Sequence, residues 1–287
     1  MKFHIIIAMF NVEEWIKENI QWIKEQTYED FQVVLVDDIS TDRTVEIVQS
    51  EIQDDKRFKL IINQEKKYKT RNVVEAINAA NADDEDIIVL VDGDDRLSHK
   101  NVLKYLAEVY QQENCWMTYG SYENSQGDRG KKCRSYQAGV INNNSYRKSK
   151  WLASHLKTFR YGLWKKLNMD IFKISEVDIR RALTRAIFTM RFRSWYYWKD
   201  IKVEDLHDQS GNFIRRVDDK AFSYPMLEMS GDKACFIDET LYIFHTERTP
   251  YNGPDKNYGE NKSEKWHTRL IRHILAHKKP YKRIEQL

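Results

Sequence analysis

The stretch Ile87-Ile-Val-Leu-Val-Asp-Gly-Asp-Asp95 constrains this chain more than any other. Ile87 to Val91 is an unbroken apolar run rich in β-branched residues, which reads as a central strand buried on both faces. It stops in three carboxylates, Asp92, Asp94 and Asp95, with Gly93 letting the backbone turn. Like charges crowded at a strand end cost folding energy unless something positive offsets them. Hard oxygen donors at this spacing suit Mg²⁺ or Mn²⁺, which keep some waters and take phosphate oxygens as further ligands. In open α/β sheets, ligands sit in the crevice beyond the carboxyl ends of strands. An acidic turn that merely solubilises a strand end looks the same locally, so the neighbouring segments decide.

Those segments alternate. Phe3 to Met9 reads as a first strand, and the apolar residues Val12, Trp15, Ile16, Ile20 and Ile23 then recur at helical spacing. Glu13 and Glu14 fall in the first turn of that helix, where the dipole favours acids. Phe31 to Asp37 is a second buried strand ending in Asp37 and Asp38, and Ser40-Thr41-Asp42 offers capping side chains for a helix through Ser50. Phe58 to Asn63 is a third strand, Thr70 to Ala82 a third helix, and His99 to Gln112 a helix before a strand at Cys115 to Gly120. Strand–helix alternation of this kind means βαβ units, a parallel sheet and right-handed crossovers. Residues 1–120 therefore read as a nucleotide-binding α/β half.

The regular alternation then ends. Tyr122 to Ser149 is polar and Asn-rich and reads as a mobile connection; Leu156 to Leu167 reads as helix. From Ile179 to Trp198, Arg180, Arg181, Arg185, Arg191 and Arg193 stand beside Phe188, Phe192, Trp195, Tyr196, Tyr197 and Trp198. That segment has three readings: a helix on an anionic membrane surface through Ile179, Leu183, Ile187 and Met190, an aromatic platform for sugars, or an ordinary amphipathic helix with solvated arginines. A helix around Ala221 to Met229, a strand pair within Cys235 to Phe244 and a basic amphipathic C-terminal helix complete the chain.

Composition narrows the class. With 41% hydrophobic and 32% charged residues, 4 Pro and 10 Gly, the chain is globular rather than loop-dominated. No apolar run approaches the ~20 residues that span a bilayer, and the apolar part of the first residues is too short for a signal peptide. Cys115, Cys133 and Cys235 are scattered, odd in number and without C-x-x-C spacing, which points to a reducing, cytoplasmic setting and away from structural zinc. The net charge of +3 hides an asymmetry: residues 1–95 carry 11 basic against 22 acidic residues, residues 262–287 carry 8 against 2. An acidic first third and a basic end fit a cation-dependent site plus a tail that faces anions.

In order and spacing, Ile6-Ile-Ala-Met-Phe-Asn11, Val36-Asp-Asp-Ile-Ser-Thr-Asp-Arg-Thr44, Lys69-Thr-Arg-Asn72 and Val91-Asp-Gly-Asp-Asp95 resemble the motifs of glycosyltransferase family 2. The resemblance is strong over residues 3–120. It continues more weakly through Val217-Asp-Asp-Lys-Ala-Phe222 and Glu239-Thr-Leu-Tyr-Ile-Phe-His245. It implies a GT-A fold, α/β with a central mostly parallel sheet and a helical, basic C-terminal part. The division would be a nucleotide-sugar-binding half over 1–120, an acceptor-binding half of the same domain over 121–250, and a basic helix and tail over 251–287. The implied activity is metal-dependent inverting transfer of a sugar from a UDP- or GDP-type donor, with Mn²⁺ or Mg²⁺.

Carried over residue by residue, Asp38 resembles the carboxylate that receives a base N–H. Met9, Phe10 and Asn11 would line the nucleotide, and Arg71 would lie near the base or diphosphate. Asp92 resembles the acid near the ribose and Asp94 the principal metal ligand. The chain departs from the family at Met9, where Pro is usual, and at Ile39, where Gly is usual. Inverting transfer needs one general base for the acceptor hydroxyl and no covalent intermediate. Asp218-Asp219 stands where the family has a late Glu-Asp pair, which makes Asp219 the candidate base; two adjacent acids would raise one pKa toward neutrality. The same pair would serve equally as a helix N-cap. Ser154-His-Leu-Lys-Thr-Phe-Arg160 resembles a stretch of some members and nominates His155 for diphosphate or acceptor contact, and His245 for a further metal ligand. Expected partners are the donor and a glycan, lipid-linked or protein acceptor, with peripheral membrane contact open and no nucleic acid. The competing readings are a nucleotidyltransferase acting on sugar phosphates, which would need a Gly-rich loop after the first strand, and a non-catalytic nucleotide-binding module.

Overall fold

The apolar runs become neighbouring strands of one sheet. The computed structural model describes residues 1–130, 132–246 and 262–287. Its first elements are β1 (Phe3–Met9), α1 (Ile16–Lys24), β2 (Phe31–Asp37), α2 (Thr44–Ile52), β3 (Phe58–Ile62), α3 (Tyr68–Ala79) and β4 (Ile87–Asp92). They give the parallel order β3-β2-β1-β4, as strand–helix alternation requires. Met9 is opposite Asp37 and Ala8 opposite Asp92, so the carboxyl tips of the three central strands lie level. Successive side chains face opposite sides. Ile6, Val34 and Ile88 enter one core, while Ile5, Ile7, Val33, Leu35 and Val89 enter the other.

The second half continues with β5 (Arg96–Leu97), α4 (Val102–Glu113), β6 (Met117–Asn124), α5 (Ala138–Asn142), β7 (Lys157–Arg160) and α6 (Tyr161–Lys165). Then come α7 (Glu176–Phe188), α8 (Phe192–Trp198), α9 (Asp218–Ser230), β8 (Ala234–Phe244) and α10 (Lys262–His277). The full strand order is β3-β2-β1-β4-β7-β6-β8-β5, so both halves share one eight-stranded sheet. A buried clasp secures the late helices. Arg147 donates to both Glu228 carboxylate oxygens on α9, at 2.5 and 2.9 Å, and to the Leu275 carbonyl on α10 at 2.6 Å.

Several expectations change. The stretch from Leu156 to Leu167 is strand first and helix second, because Lys157–Arg160 fills an antiparallel slot between β4 and β6. Short apolar runs do not distinguish strand from helix by periodicity, and here pairing decides. The expected strand pair at 235–244 is a single strand, β8, whose register against β6 shifts at Gly120–Tyr122. The polar connection of residues 122–149 carries buried anchors, Tyr136, Tyr146 and Arg147, together with α5. Cys115 and Cys235 form a disulfide: parallel pairing of β6 with β8 brings together residues 120 apart in sequence. The cysteine pattern thus loses its force as an argument for a reducing compartment. The segment 179–198 splits into α7 and α8, with α7 burying Ile179, Ala182 and Ala186 as an amphipathic helix should. Within the expected C-terminal unit, residues 251–261 lie outside the described residues. Among the described residues no helix is long and apolar enough to cross a membrane.

Candidate active site

At the first strand tips, three consecutive backbone N–H groups after β1 are taken by side chains of the β2–α2 loop and of the first residue of α2. Asn11 N donates to Ser40 Oγ at 2.9 Å, Val12 N to Thr44 Oγ1 at 2.8 Å and Glu13 N to Asp42 Oδ2 at 3.2 Å. Asn11 Oδ1 in turn accepts from Thr41 N at 2.8 Å. The N-cap position of α2 is Arg43, which makes no side-chain cap. Of the expected caps, Asp42 also accepts from Thr44 N at 3.0 Å, and Ser40, Thr41 and Asp42 all bond the segment after β1. Met9 is buried beneath this loop, and the Lys66 ammonium lies over the face of the Phe10 ring.

Asp38 is buried and gathers the β3–α3 loop. It accepts from Lys67 N at 2.8 Å, Tyr68 N at 3.0 Å and Asn63 Nδ2 at 3.2 Å, and pairs with Lys66 Nζ at 3.3 Å. The backbone around it is strained. Ile39 has φ +63° and Tyr68 φ +60°, left-handed values that side chains with a Cβ rarely adopt. Such strain concentrates at functional sites. Ile39 also explains the family's glycine there, since only glycine takes that conformation without cost.

The acidic turn after β4 is held from three directions. Asn19 on α1 donates to the carbonyls of Asp92 and Asp95, at 3.0 and 2.7 Å. Tyr242 on β8 donates its hydroxyl to Asp95 Oδ2 at 2.8 Å, and His245 N donates to Asp95 Oδ1 at 2.9 Å. Gly93 is required by close approach: a Cβ there would meet Met9 Cβ at 2.9 Å. Burial and the Asp92 and Asp94 charges push Asp95 up to about 8, and with Tyr242 on one oxygen and the His245 N–H on the other it braces the turn. Burial would also raise Asp92, yet Lys69, with Nζ 2.6 Å away, and the more distant His155 and Lys157 hold it well below the carboxylate range.

Asp92, Asp94 and Asp95 place one carboxylate oxygen each within 4.8 Å of the others. Asp95 braces the turn, and the carboxylates of Asp92 and Asp94 are the hard oxygen donors that suit Mg²⁺ or Mn²⁺. Among the described residues His245 is not in this group. Its Nδ1 meets the Asp94 carbonyl at 2.9 Å and its Nε2 faces Glu18 at 3.6 Å.

A small cleft next to the turn, walled by apolar residues such as Ile6, Leu90 and Phe222, brings together Lys69, Asp92, His155, Lys157, Asp218 and Asp219. Val217, at φ +67°, turns the chain so that α9 begins with the two acids facing this cleft. Burial and the Asp219 and Asp92 charges raise Asp218, against the opposing pull of Lys69. Asp219 is less buried and closer to solvent. His155 stacks on the Tyr242 ring, centroids 4.7 Å apart.

Arg71 stands one helix face away from the cleft. It pairs with Glu75 at 2.7 Å, Glu65 at 3.1 Å and the buried Asp208 at 3.3 Å, tying α3 to the 204–215 loop. The residues that motif reading passed over are Lys69, Lys157, Asn19 and Tyr242. Lys157 opens β7 and His155 lies in the bend just before it, and both line the cleft.

A family model described as Glycosyl transferase family 2 matches residues 4–173, more than half of the chain. The glycosyltransferase GlyG of Streptococcus pneumoniae is 22% identical over 244 residues, 84% of this chain and 69% of that protein. The uncharacterized glycosyltransferase EpsJ of Bacillus subtilis is 27% identical over 252 residues, 84% of this chain and 60% of that protein. Among solved structures, S. aureus TarS 1-349 in complex with UDP-GlcNAc aligns with a TM-score of 0.57 at 18% identity, covering 94% of this chain and 65% of that one. The chain thus spans about two thirds of the length of these proteins.

Proposed function

This chain belongs to glycosyltransferase family 2 and has the GT-A fold, and from that premise we propose that it moves a sugar from a nucleoside diphosphate donor to an acceptor hydroxyl with inversion. The observation that carries the reading is that Asp92 shares one cleft with Asp218 and Asp219 at the start of α9, while Asp38 and Asp94 follow the level carboxyl tips of β2 and β4.

Asp38 would receive a base N–H of a UDP- or GDP-type donor. A carboxylate has about four acceptor positions, and those of Asp38 are engaged by the 63–68 loop. The Lys66 ammonium, on its flexible stem, is the partner that yields, leaving Phe10, Met9 and Asn11 as the floor. Arg71 bears on the donor by fixing the loop around Asp208. Asp92 and Asp94 would hold Mg²⁺ or Mn²⁺, with His245 fixing the Asp94 backbone beside them. Bound there, the ion would neutralise charge on the diphosphate leaving group. Lys69 and Lys157 add positive potential on the same side. Asp219 takes the acceptor proton as the hydroxyl attacks the anomeric carbon, and the more buried, raised Asp218 supports it from behind. His155, stacked on Tyr242, borders the space between donor and acceptor.

A nucleotidyltransferase reading is weakened by the segment after β1. Its backbone N–H groups are already bound by Ser40, Thr44 and Asp42 and so do not cradle phosphates. The test is a panel of UDP- and GDP-sugars, with release of nucleoside diphosphate followed in Mn²⁺ and in excess chelator. Metal-dependent release from at least one donor is expected. Nucleotide binding without turnover across the panel and a range of glycan acceptors would overturn the enzymatic reading.

A further inference from the structure

α7 and α8 meet at a turn where Met190 has φ +54°. Ile187, Phe188, Met190 and Phe192 stand outside the core there, Phe188 82% and Met190 80% exposed. Isolated exposed apolar residues need no explanation, whereas a contiguous set marks an interaction surface. Five arginines lie between Ile179 and Trp198, and no acid does. Beside this tip, a cavity between α7, α10 and the segment after it is lined by Arg181, Arg185, His273, His277, Lys278 and Lys279, with Asp170 and Asp178 also on its wall. Arg185 belongs to both features, and Arg185 and Arg191 both lie near His273. Burial, with these cations close by, pushes His273 down to about 4, and Arg181 and Arg185 are exposed cations on the cavity wall.

We propose that this face docks on an anionic lipid bilayer: the tip seats Phe188, Met190 and Phe192 at the headgroup–acyl boundary, and the basic cavity receives a lipid phosphate. Charge complementarity selects this occupant. Aromatic residues, Met and Arg are enriched at protein interfaces too; the one-signed charge, five arginines without an acid from Ile179 to Trp198, is what favours an anionic surface. That is the arrangement by which interfacial segments hold anionic membranes. The surface is independent of the transfer chemistry, so its test is as well.

The full chain is sedimented with vesicles of phosphatidylcholine and phosphatidylglycerol in equal parts, and with phosphatidylcholine alone. The wild type should pellet with the mixed vesicles and remain largely in solution with the neutral ones. Phe188→Ser with Met190→Ser should weaken binding by about tenfold or more, as loss of inserted area predicts. Arg181→Gln with Arg185→Gln should weaken it comparably. All four positions are exposed, and unchanged thermal unfolding would show that the fold survives. Equal pelleting of wild type and both variants, or none with anionic vesicles, overturns the proposal. So does a dimer that the tip variant dissolves while vesicle binding is absent, which would assign the tip to a second copy.

Discussion

Lys69 Nζ lies 2.6 Å from Asp92 Oδ1, joining the first turn of α3 to the acidic tip of β4. This ion pair supplies the positive charge that the crowded carboxylates need, from a residue 23 positions earlier in the chain. Lys69→Met should lower both turnover and stability. The lysine side chain keeps 41% exposure, so the screened pair is worth at most about 1 kcal/mol. Asp92 is depressed in the folded state, so its contribution is complete above the ordinary carboxylate pKa of about 3.9 and is lost as pH falls through the folded value. Urea unfolding of both proteins should therefore differ near neutrality and converge in acid.

Asp219, which opens α9, and Asp94, in the turn after β4, should separate by role. Asp219→Asn is expected to cut transfer by about 10²–10⁴-fold, the scale of a lost general base, with donor affinity unchanged. Asp94→Ala should instead abolish metal-dependent donor turnover. Transfer kinetics and calorimetric donor binding distinguish them, and weakened donor binding with intact transfer in Asp219→Asn would sink the assignment.

Ile39 bears a β-branched side chain at φ +63° on an exposed loop. Ile39→Gly removes a conformational cost of roughly 1–2 kcal/mol and adds back part of it as chain entropy in the unfolded state. A net gain of up to about 1 kcal/mol is expected. The denaturation midpoint should rise; a fall would show that Ile39 contacts outweigh the strain.

His273 should make the C-terminal packing acid-sensitive. His277 on α10, Arg185 on α7 and Arg191 in the turn all face it, and burial with their charges sets its folded pKa at about 4. The unfolded chain, with histidine near about 6.5, binds more protons in between, so stability is full above that value and declines toward pH 4. Because the ring is only partly buried, the decline assigned to it is on the order of 1–2 kcal/mol. His273→Gln should flatten the pH slope of thermal unfolding between those limits. An unchanged slope would remove His273 as the cause.

Much of the donor half is legible in the order of its residues. β1 and β2 match their expected bounds, and β4 ends at Asp92 as expected, because buried parallel strands must be continuous apolar runs. Polar residues at strand tips have few other uses than caps or ligands, so Asp38, Asp92 and Asp94 stand out from the pattern. The acceptor side is harder. Leu156 to Arg160 is too short for periodicity to choose between strand and helix, and only the vacant slot beside Ile87–Leu90 makes it a strand. That choice puts Lys157 on the cleft that His155 borders from the bend before the strand.

Long-range partners are beyond local pattern altogether. Tyr242 reaches Asp95 across 147 residues, Arg71 reaches Asp208 across 137, and Cys115 bonds Cys235 across 120. Propensity and pattern act over a few residues, so sequence alone determined the elements and the acids at their ends. Which cation neutralises which acid, and which late strand braces the turn, depended on distances that exist only after the sheet closes.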